Sequence, residues 1–295
     1  MDSNTTHPCR ADTLRGMPAE TEIVTRLRAA GCVFAEDEAR LLVEASDDDS
    51  ELDRLVARRA AGEPLEYVLG WAEFAGLRIR VLPGVFVPRR RTELLAAEAA
   101  RLATVAVLAG HDGRAGAAAR DAAVSAPVVV DLCCGTGAIG AAVMDAAGPV
   151  HLVAADLDPI AVQAARMNLE PQGGLVFEGD LYDALPVELR ARIDVLAVNA
   201  PYVPSEAIAM MPPEARDHEA RLALDGGNDG LDVHRRVAAS ARSWLAPGGS
   251  VLIETSERQA PVARALFEAG GLATRILHDA DADATVVIGV RNPVG

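Results

Sequence analysis

The chain has 295 residues, half of them apolar and 24% charged, enough for one large folded domain or a core plus a smaller unit, and unlike a disordered composition. Its formal net charge is −15 and all 28 basic side chains are arginine, which excludes a broad cationic surface for nucleic acid. The N-terminus is polar and no apolar run reaches membrane-spanning length, so the expectation is a cytoplasmic protein without a membrane partner, with a monomer as the default.

Residues 1–17 read as a flexible arm. Over 18–75 the pattern is helical: Ile23, Leu27 and Ala30, then Ala39, Leu42 and Val43, then Leu52, Leu55 and Val56 recur at helix spacing. Gly31 and the run Asp47-Asp48-Asp49-Ser50 punctuate it, with Asp49 or Ser50 placed to cap the following helix. Leu77 to Leu82 alternates like a strand, Pro83-Gly84 signals a turn, and Val85-Phe86-Val87 can return beside it. That predicts a connecting β-hairpin over 76–91. A helix over 92–109 and a Gly/Ala/Asp linker at 110–124 follow, within a large unit spanning 92–295.

From residue 127 strands and helices alternate. Strands are expected at 128–131, 151–156, 175–177, 193–198, 250–255 and 285–290, with 273–278 a further candidate. Helices are expected near 137–147, 159–169, 231–246 and 258–269. This order predicts an α/β fold, a doubly wound, mostly parallel sheet with a terminal antiparallel strand. Ligands of such sheets bind at the carboxyl ends of the strands, and three of these strand ends carry polar or glycine-rich residues.

The first is Asp131-Leu132-Cys133-Cys134-Gly135-Thr136-Gly137. Gly135 and Gly137 permit close backbone approach, and the following helix offers its N-terminal N–H groups to a ligand. It is neither GxGxxG, since Cys133 holds the first glycine position, nor a Walker phosphate loop, since the chain has no lysine. The second is Asp156, able to accept hydrogen bonds from both hydroxyls of a ribose, although Asp158 competes with it to cap the next helix. Asp180, after the third strand, could reach a base amine, or simply close a turn. Acids along one crevice favour a nucleoside carrier without phosphates.

The third is Asn199-Ala200-Pro201-Tyr202. The Asn199 amide oxygen and the Ala200 carbonyl can accept the two N–H groups of an acceptor amide or amine. Pro201 stiffens the turn and Tyr202 can stack on a planar group. A buried Asn-Pro turn is the bland alternative, but the glycine loop and Asp156, in order, argue against it. Neither a covalent nucleophile nor a metal is required. The six histidines lack metal-ligand spacing, and the four cysteines, Cys9, Cys32, Cys133 and Cys134, suit reduced thiols rather than disulfides or a zinc site.

These motifs together resemble the class I S-adenosylmethionine-dependent methyltransferases with their Rossmann-like fold, and more narrowly the HemK/PrmC family of protein-(glutamine-N5) methyltransferases. The resemblance covers nearly the whole chain. It includes Glu66-Tyr67-Val68-Leu69-Gly70, the Pro88-Arg89 segment ending in Thr92-Glu93, the glycine loop, Asp156, Asn199-Ala200-Pro201-Tyr202, and Glu254 with Gln259. It implies S-adenosyl-L-methionine as cofactor, with S-adenosyl-L-homocysteine as product. A peptide-chain release factor is the implied protein substrate, modified on the glutamine of its Gly-Gly-Gln loop, with the N-terminal helices docking it. Asp131, Cys133, Gly135, Gly137, Asp156, Asp180 and Asn199 would hold the cofactor. Arg89, Glu93, Asn199, Ala200, Pro201 and Tyr202 would bind the acceptor, with Asn199, Pro201 and Tyr202 at the chemistry.

The chain departs from the family at Ala200 (usually Pro), at Cys133 (usually Gly), at Arg90-Arg91 (usually Pro-Glu) and at Thr136 (usually Ser), the mark of a divergent branch. Arg89 to Arg91 form a positive cluster that could meet an acidic partner or solvent, and Glu93 could orient Arg89 or line the acceptor pocket. Met210 to Glu214 and Gly226 to Gly230 read as loops over the site, or as plain turns. Methylation of adenine in nucleic acid or of a small molecule, and a non-catalytic cofactor-binding role, are the competing readings. Acidic charge and the helical N-terminal segment favour protein over nucleic acid.

Overall fold

The computed structural model describes residues 16–113 and 126–293. Cys9, most of the expected arm and most of the expected linker lie outside the described residues. In sequence, two compact units meet at Leu69/Gly70.

The first unit is helical: α1 (Gly16–Ala29), α2 (Ala35–Ala45), α3 (Asp49–Ala60) and the short α4 (Leu65–Leu69). Ile23 and Leu27 of α1, Ala39 and Leu42 of α2, and Leu55 and Val56 of α3 pack into one core. Spacing of three and four places each pair on one helix face. The cap of α3 lies one residue earlier than its sequence suggests, because Asp48 is the extended residue and accepts the Glu51 N–H at 2.8 Å. A buried fork joins Arg59 to Glu38, with N–O distances of 2.6 and 3.1 Å.

The second unit opens with a hairpin of β1 (Trp71–Phe74) and β2 (Leu77–Arg80). The strand from Leu77 is as expected, but its partner precedes it. Ala75 and Gly76 both adopt positive φ (51° and 77°), the two-residue turn whose twist matches paired strands. Val85 to Val87 therefore does not return beside β2, and the connector expected over 76–91 is half hairpin and half irregular chain. Pro83 and Pro88 cannot donate to a ladder, and the intervening polar groups find other partners. The Val87 N–H goes to the Glu219 carboxylate at 3.2 Å, and the Gly84 carbonyl accepts from Ala220.

After α5 (Glu93–Gly113) come β3 (Val128–Leu132), α6 (Ala138–Ala147), β4 (His151–Asp156), α7 (Pro159–Leu169), β5 (Leu175–Glu178) and β6 (Ile193–Val198). The short α8 (Pro213–His218), α9 (Asp232–Trp244), β7 (Leu245–Thr255), α10 (Ala260–Ala269), β8 (Ala273–Asp279) and β9 (Ala284–Val290) complete the chain. The seven strands run in the order β5-β4-β3-β6-β7-β9-β8. β5 to β7 are mutually parallel along that order, whereas β9 is antiparallel to both neighbours. The antiparallel strand is thus last in sequence but interior in the sheet.

Alternate residues of the central strands feed two cores, which is why these strands read as apolar runs. Val129 and Leu152 pack with α5, α6 and α7, while Val130, Leu132 and Val153 pack with α9 and α10. The chain leaves β3 toward β4 on one side and later returns to lay β6 on the other. The crevice of this reversal lies at the carboxyl ends of β3 and β6, where both the glycine loop and Asn199 begin.

Candidate active site

One cleft runs along this edge of the second unit, lined by the glycine loop, the β4 and β6 tips and the chain from Phe86 to Thr92. Gly135 begins the turn with its N–H donated to Asp156 Oδ2 at 2.8 Å, and the other Asp156 oxygen accepts from Asp158 N–H at 2.9 Å. Burial pushes the Asp156 carboxyl up, and these backbone bonds oppose it. Asp158 does cap α7, accepting from Ile160 N–H at 2.9 Å. Asp158 is thus the cap, and both acids line the cleft. Cys133 holds a left-handed φ of 57° and lines the cleft, so its side chain is accommodated in a conformation that favours glycine.

Asp131 and Gly137 belong to the same loop but not to the cleft wall. Gly137 is buried at the start of α6, where an added Cβ would stand 2.7 Å from Leu169. Asp131 is fully buried. Its Oδ2 accepts the Gly140 N–H at 2.9 Å, and its Oδ1 has no partner. Loss of water raises its pKa to about 8, with the Asp156 charge adding to the rise. Asp131 braces the first turn of α6 from inside the core.

At the β6 tip, Asn199, Ala200, Pro201 and Tyr202 all line the cleft. Asn199 Nδ2 lies 3.4 Å from Thr92 Oγ1. The Tyr202 hydroxyl donates to Glu254 Oε1 at 3.0 Å, and burial beside this acid pushes the phenol pKa up. The Arg91 guanidinium sits 5.9 Å over the Tyr202 ring and pairs with the same carboxylate, Nε to Oε1, at 3.6 Å. Glu254 stands near the end of β7 with 2% exposure. Burial raises its pKa, against the Tyr202 hydrogen bond and the charge of Arg91, and its second oxygen, Oε2, has no hydrogen-bond partner.

Behind the motif, Gln259 Nε2 donates to the carbonyls of Tyr202 and Asp229 at 3.0 and 2.9 Å. The loop from Gly226 to Gly230 is packed on the motif rather than hung over it. A Cβ on Gly230, already at φ 77°, would lie 2.2 Å from the Tyr202 carbonyl oxygen. Met211 and Leu222 to Asp225 do reach the cleft, whereas Met210 is 81% exposed.

Arg89 lines the cleft but pairs with buried Glu219, not with Glu93. Glu93 instead accepts the Ala75 N–H at 3.0 Å and closes the hairpin turn, outside the cleft wall. Asp180 lines the cleft and is paired with Arg236 of α9 at 2.7 Å. Arg90 is exposed. Nothing in the sequence marks Glu219 or Arg236, because neither follows an apolar run nor sits in a motif. Among the described residues no group of three His, Cys, Asp or Glu is placed to hold a metal.

Residues 120–218 match the family described as Methyltransferase small domain. The chain is 36% identical over 219 residues to the release factor glutamine methyltransferase of Geobacter sulfurreducens, covering 74% of this chain and 69% of the relative. Against the enzyme of the same name from Streptomyces coelicolor it is 36% identical over 214 residues, covering 72% and 70%. The chain belongs to the release factor glutamine methyltransferase family. It is also 34% identical over 216 residues to the 4-amino-L-phenylalanine/4-methylamino-L-phenylalanine methyltransferase of Streptomyces pristinaespiralis, covering 73% and 69%.

A methyltransferase of this family uses S-adenosyl-L-methionine, and the cleft fits that group. Each Asp156 oxygen has one backbone donor and a lone pair to spare for a ribose hydroxyl. Leu157, Leu181 and Ala161 give apolar walls for a base, and Asp156 and Asp180 suit a cationic ligand. No helix of the described residues is long and apolar enough to cross a membrane.

Proposed function

We propose that this methyltransferase transfers a methyl group from S-adenosyl-L-methionine to the side-chain amide nitrogen of a glutamine in peptide-chain release factors. The observation that carries the reading is Asn199-Ala200-Pro201-Tyr202 held at the β6 tip in one cleft with Asp156. Family membership supports the release factor as substrate. In this reading Asp156 holds the ribose and the Gly135 turn lets the nucleoside approach the backbone. Asn199 Oδ1 and the Ala200 carbonyl receive the acceptor's two N–H groups, and Pro201 and Tyr202 wall the pocket.

The cofactor, when bound, supplies an electrophilic methyl group on a sulfonium. The chain's own task is alignment, because an amide nitrogen is a weak nucleophile with a delocalised lone pair. Two acceptor oxygens fix the plane of the NH2 group and stabilise the positive charge growing on it. Transfer breaks the C–S bond, forms the N–C bond and releases one proton from the nitrogen. The unit ending at Leu69 is proposed to dock the release factor, and Val33 and Phe34, 81% and 68% exposed, are the apolar side chains it offers.

Labelled cofactor with purified release factor, beside a copy whose Gly-Gly-Gln glutamine is replaced, tests the reading. Label that disappears with the glutamine is the expected result. A parallel tube holds 4-amino-L-phenylalanine, part of the name of one relative. Label on that amine and none on the release factor would overturn the assignment.

A further inference from the structure

Three arginines line the cleft: Arg89, Arg91 and Arg236. Two of them are hydrogen-bonded to acids, Arg89 to buried Glu219 and Arg236 to Asp180 at 2.7 Å. Arg91 differs. The acid it pairs with is Glu254, and the 3.6 Å from Nε to Oε1 is too long for a hydrogen bond. Among the described residues none accepts a hydrogen bond from Arg91, and its Nε is buried without a partner.

A guanidinium is a permanent cation whose N–H donors form a planar fork, the shape that grips a carboxylate by two bonds at once. Arg91 shows 41% of its side chain and stands 5.9 Å over the Tyr202 ring. Its unused donors therefore lie beside the motif that ends β6. The other charged groups of the cleft are sorted along its length. Asp156 and Asp158, after β4, bond to backbone N–H groups, whereas Asp180 is paired with Arg236 and Asp225 with Arg221. The acids without a cationic partner thus stand at the glycine loop, and the arginine without a hydrogen-bonded acid stands at the acceptor motif. A cationic cofactor suits the first place and an anionic group the second. That group is not the acceptor's own amide carbonyl. A cation on that oxygen would draw the nitrogen lone pair further into the amide, against the transfer.

We propose that Arg91 is a specificity residue, and that the acceptor of this enzyme carries a carboxylate close to the nitrogen to be methylated, received by the Arg91 fork. The inference rests on the reading that Asn199 and Tyr202 form the acceptor pocket. It adds a requirement that an amide alone does not meet: the acceptor is recognised by a charge beside its nitrogen.

Two probes isolate that charge. The tripeptide Gly-Gly-Gln with a free carboxyl end offers a side-chain amide and a carboxylate on one residue. Its carboxamide-capped form differs in the charge alone. Calorimetry of both, against protein saturated with S-adenosyl-L-homocysteine, compares wild type, Arg91→Gln and Arg91→Lys. Wild type should bind the acid on the order of 10-fold more tightly than the capped form, the worth of a hydrogen bond between charged groups. In R91Q the two should agree within about twofold, and R91K should keep a preference for the acid.

A merely structural role for Arg91 would move both probes together and leave their ratio alone. Equal affinities in wild type, no binding of the acid, or a preference that survives in R91Q overturns the proposal. So does R91Q that loses affinity for S-adenosyl-L-homocysteine with the tripeptide ratio unchanged, because the carboxylate on Arg91 would then be the cofactor's. Should R91Q fail to fold with Glu254 left unpaired, Arg91→Gln with Glu254→Gln removes both members and carries the same expectation. Release factor left unlabelled by wild type would instead defeat the substrate reading, with the tripeptide pair still deciding the task of Arg91.

Discussion

Asp131 offers the sharpest energetic test, because a carboxyl with no exposed surface must be reflected in stability against pH. Its folded pKa is about 8, against an ordinary value of 3.8, with loss of water the main cause. Below pH 3.8 the group is neutral in both states and its burial is cheapest. As pH rises toward 8 the unfolded chain releases a proton that the folded chain keeps, so stability drains away through that window. Each pH unit inside it removes about 1.4 kcal/mol, and the whole window about 6 kcal/mol as an upper bound. Against a typical total of about 5–15 kcal/mol, that is a large fraction.

Asp131→Asn supplies the control. The amide keeps the shape and an oxygen for the Gly140 N–H, and it does not titrate. Urea unfolding of both proteins at pH 5, 6, 7 and 8 gives the difference curve. Titrations common to both, such as those of Asp156, Glu254 and His234, largely cancel in it. Wild type should lose on the order of 1 kcal/mol per pH unit relative to D131N, and at least about 2 kcal/mol between pH 5 and 8. Parallel curves would refute the reasoning, since they would mean that Asp131 ionises in the core as readily as in the unfolded chain.

The two ends of the cleft should separate in binding and turnover. Asp156→Ala should weaken cofactor binding about 10- to 100-fold by calorimetry, the worth of hydrogen bonds to a charged group. Asn199→Ala should leave that affinity within about twofold while lowering single-turnover rate on the order of 100-fold. Equal loss of cofactor affinity in both would defeat the division of roles. Arg89→Ala strands the buried Glu219 carboxylate, and since Arg89 is itself a third exposed the cost should be about 2 kcal/mol, or a melting point lower by about 4–8 °C. Adding Glu219→Gln should recover part of that loss; a double variant no more stable than R89A would show that the pair is not the source.

What the sequence discloses depends on how far apart the interacting residues lie. Strands buried on both faces announce themselves as apolar runs, and a polar residue ending such a run must have a purpose there. That logic finds Asp156 and Asn199, and the sheet order then brings both into one cleft. It does not tell a residue that faces the cleft from one that supports it. Asp131, Gly137 and Glu93 sit in or beside the right motifs, yet they serve the first turn of α6, its packing on Leu169 and the hairpin turn. The hairpin lies one strand earlier than expected because Pro83-Gly84 is the stronger turn signal in the letters. The chain turns instead at Ala75-Gly76, where Glu93 accepts the Ala75 N–H.

The cluster around Glu254 shows the same limit from the other side. Glu254 is the penultimate residue of its strand, and its partners are an arginine and a tyrosine from distant segments. Nothing local marks it as different from a capping acid. Only the parallel pairing of β6 with β7 sets its strand beside that of Asn199. His234 secures the same place: burial holds its pKa down at about 4, so the ring is neutral near pH 7. Its Nε2 lies 3.0 Å from the Glu254 carbonyl, which can only accept, so the proton sits on that nitrogen. A neutral ring on the backbone leaves the Glu254 side chain to Arg91 and the Tyr202 hydroxyl, both of which face the acceptor motif.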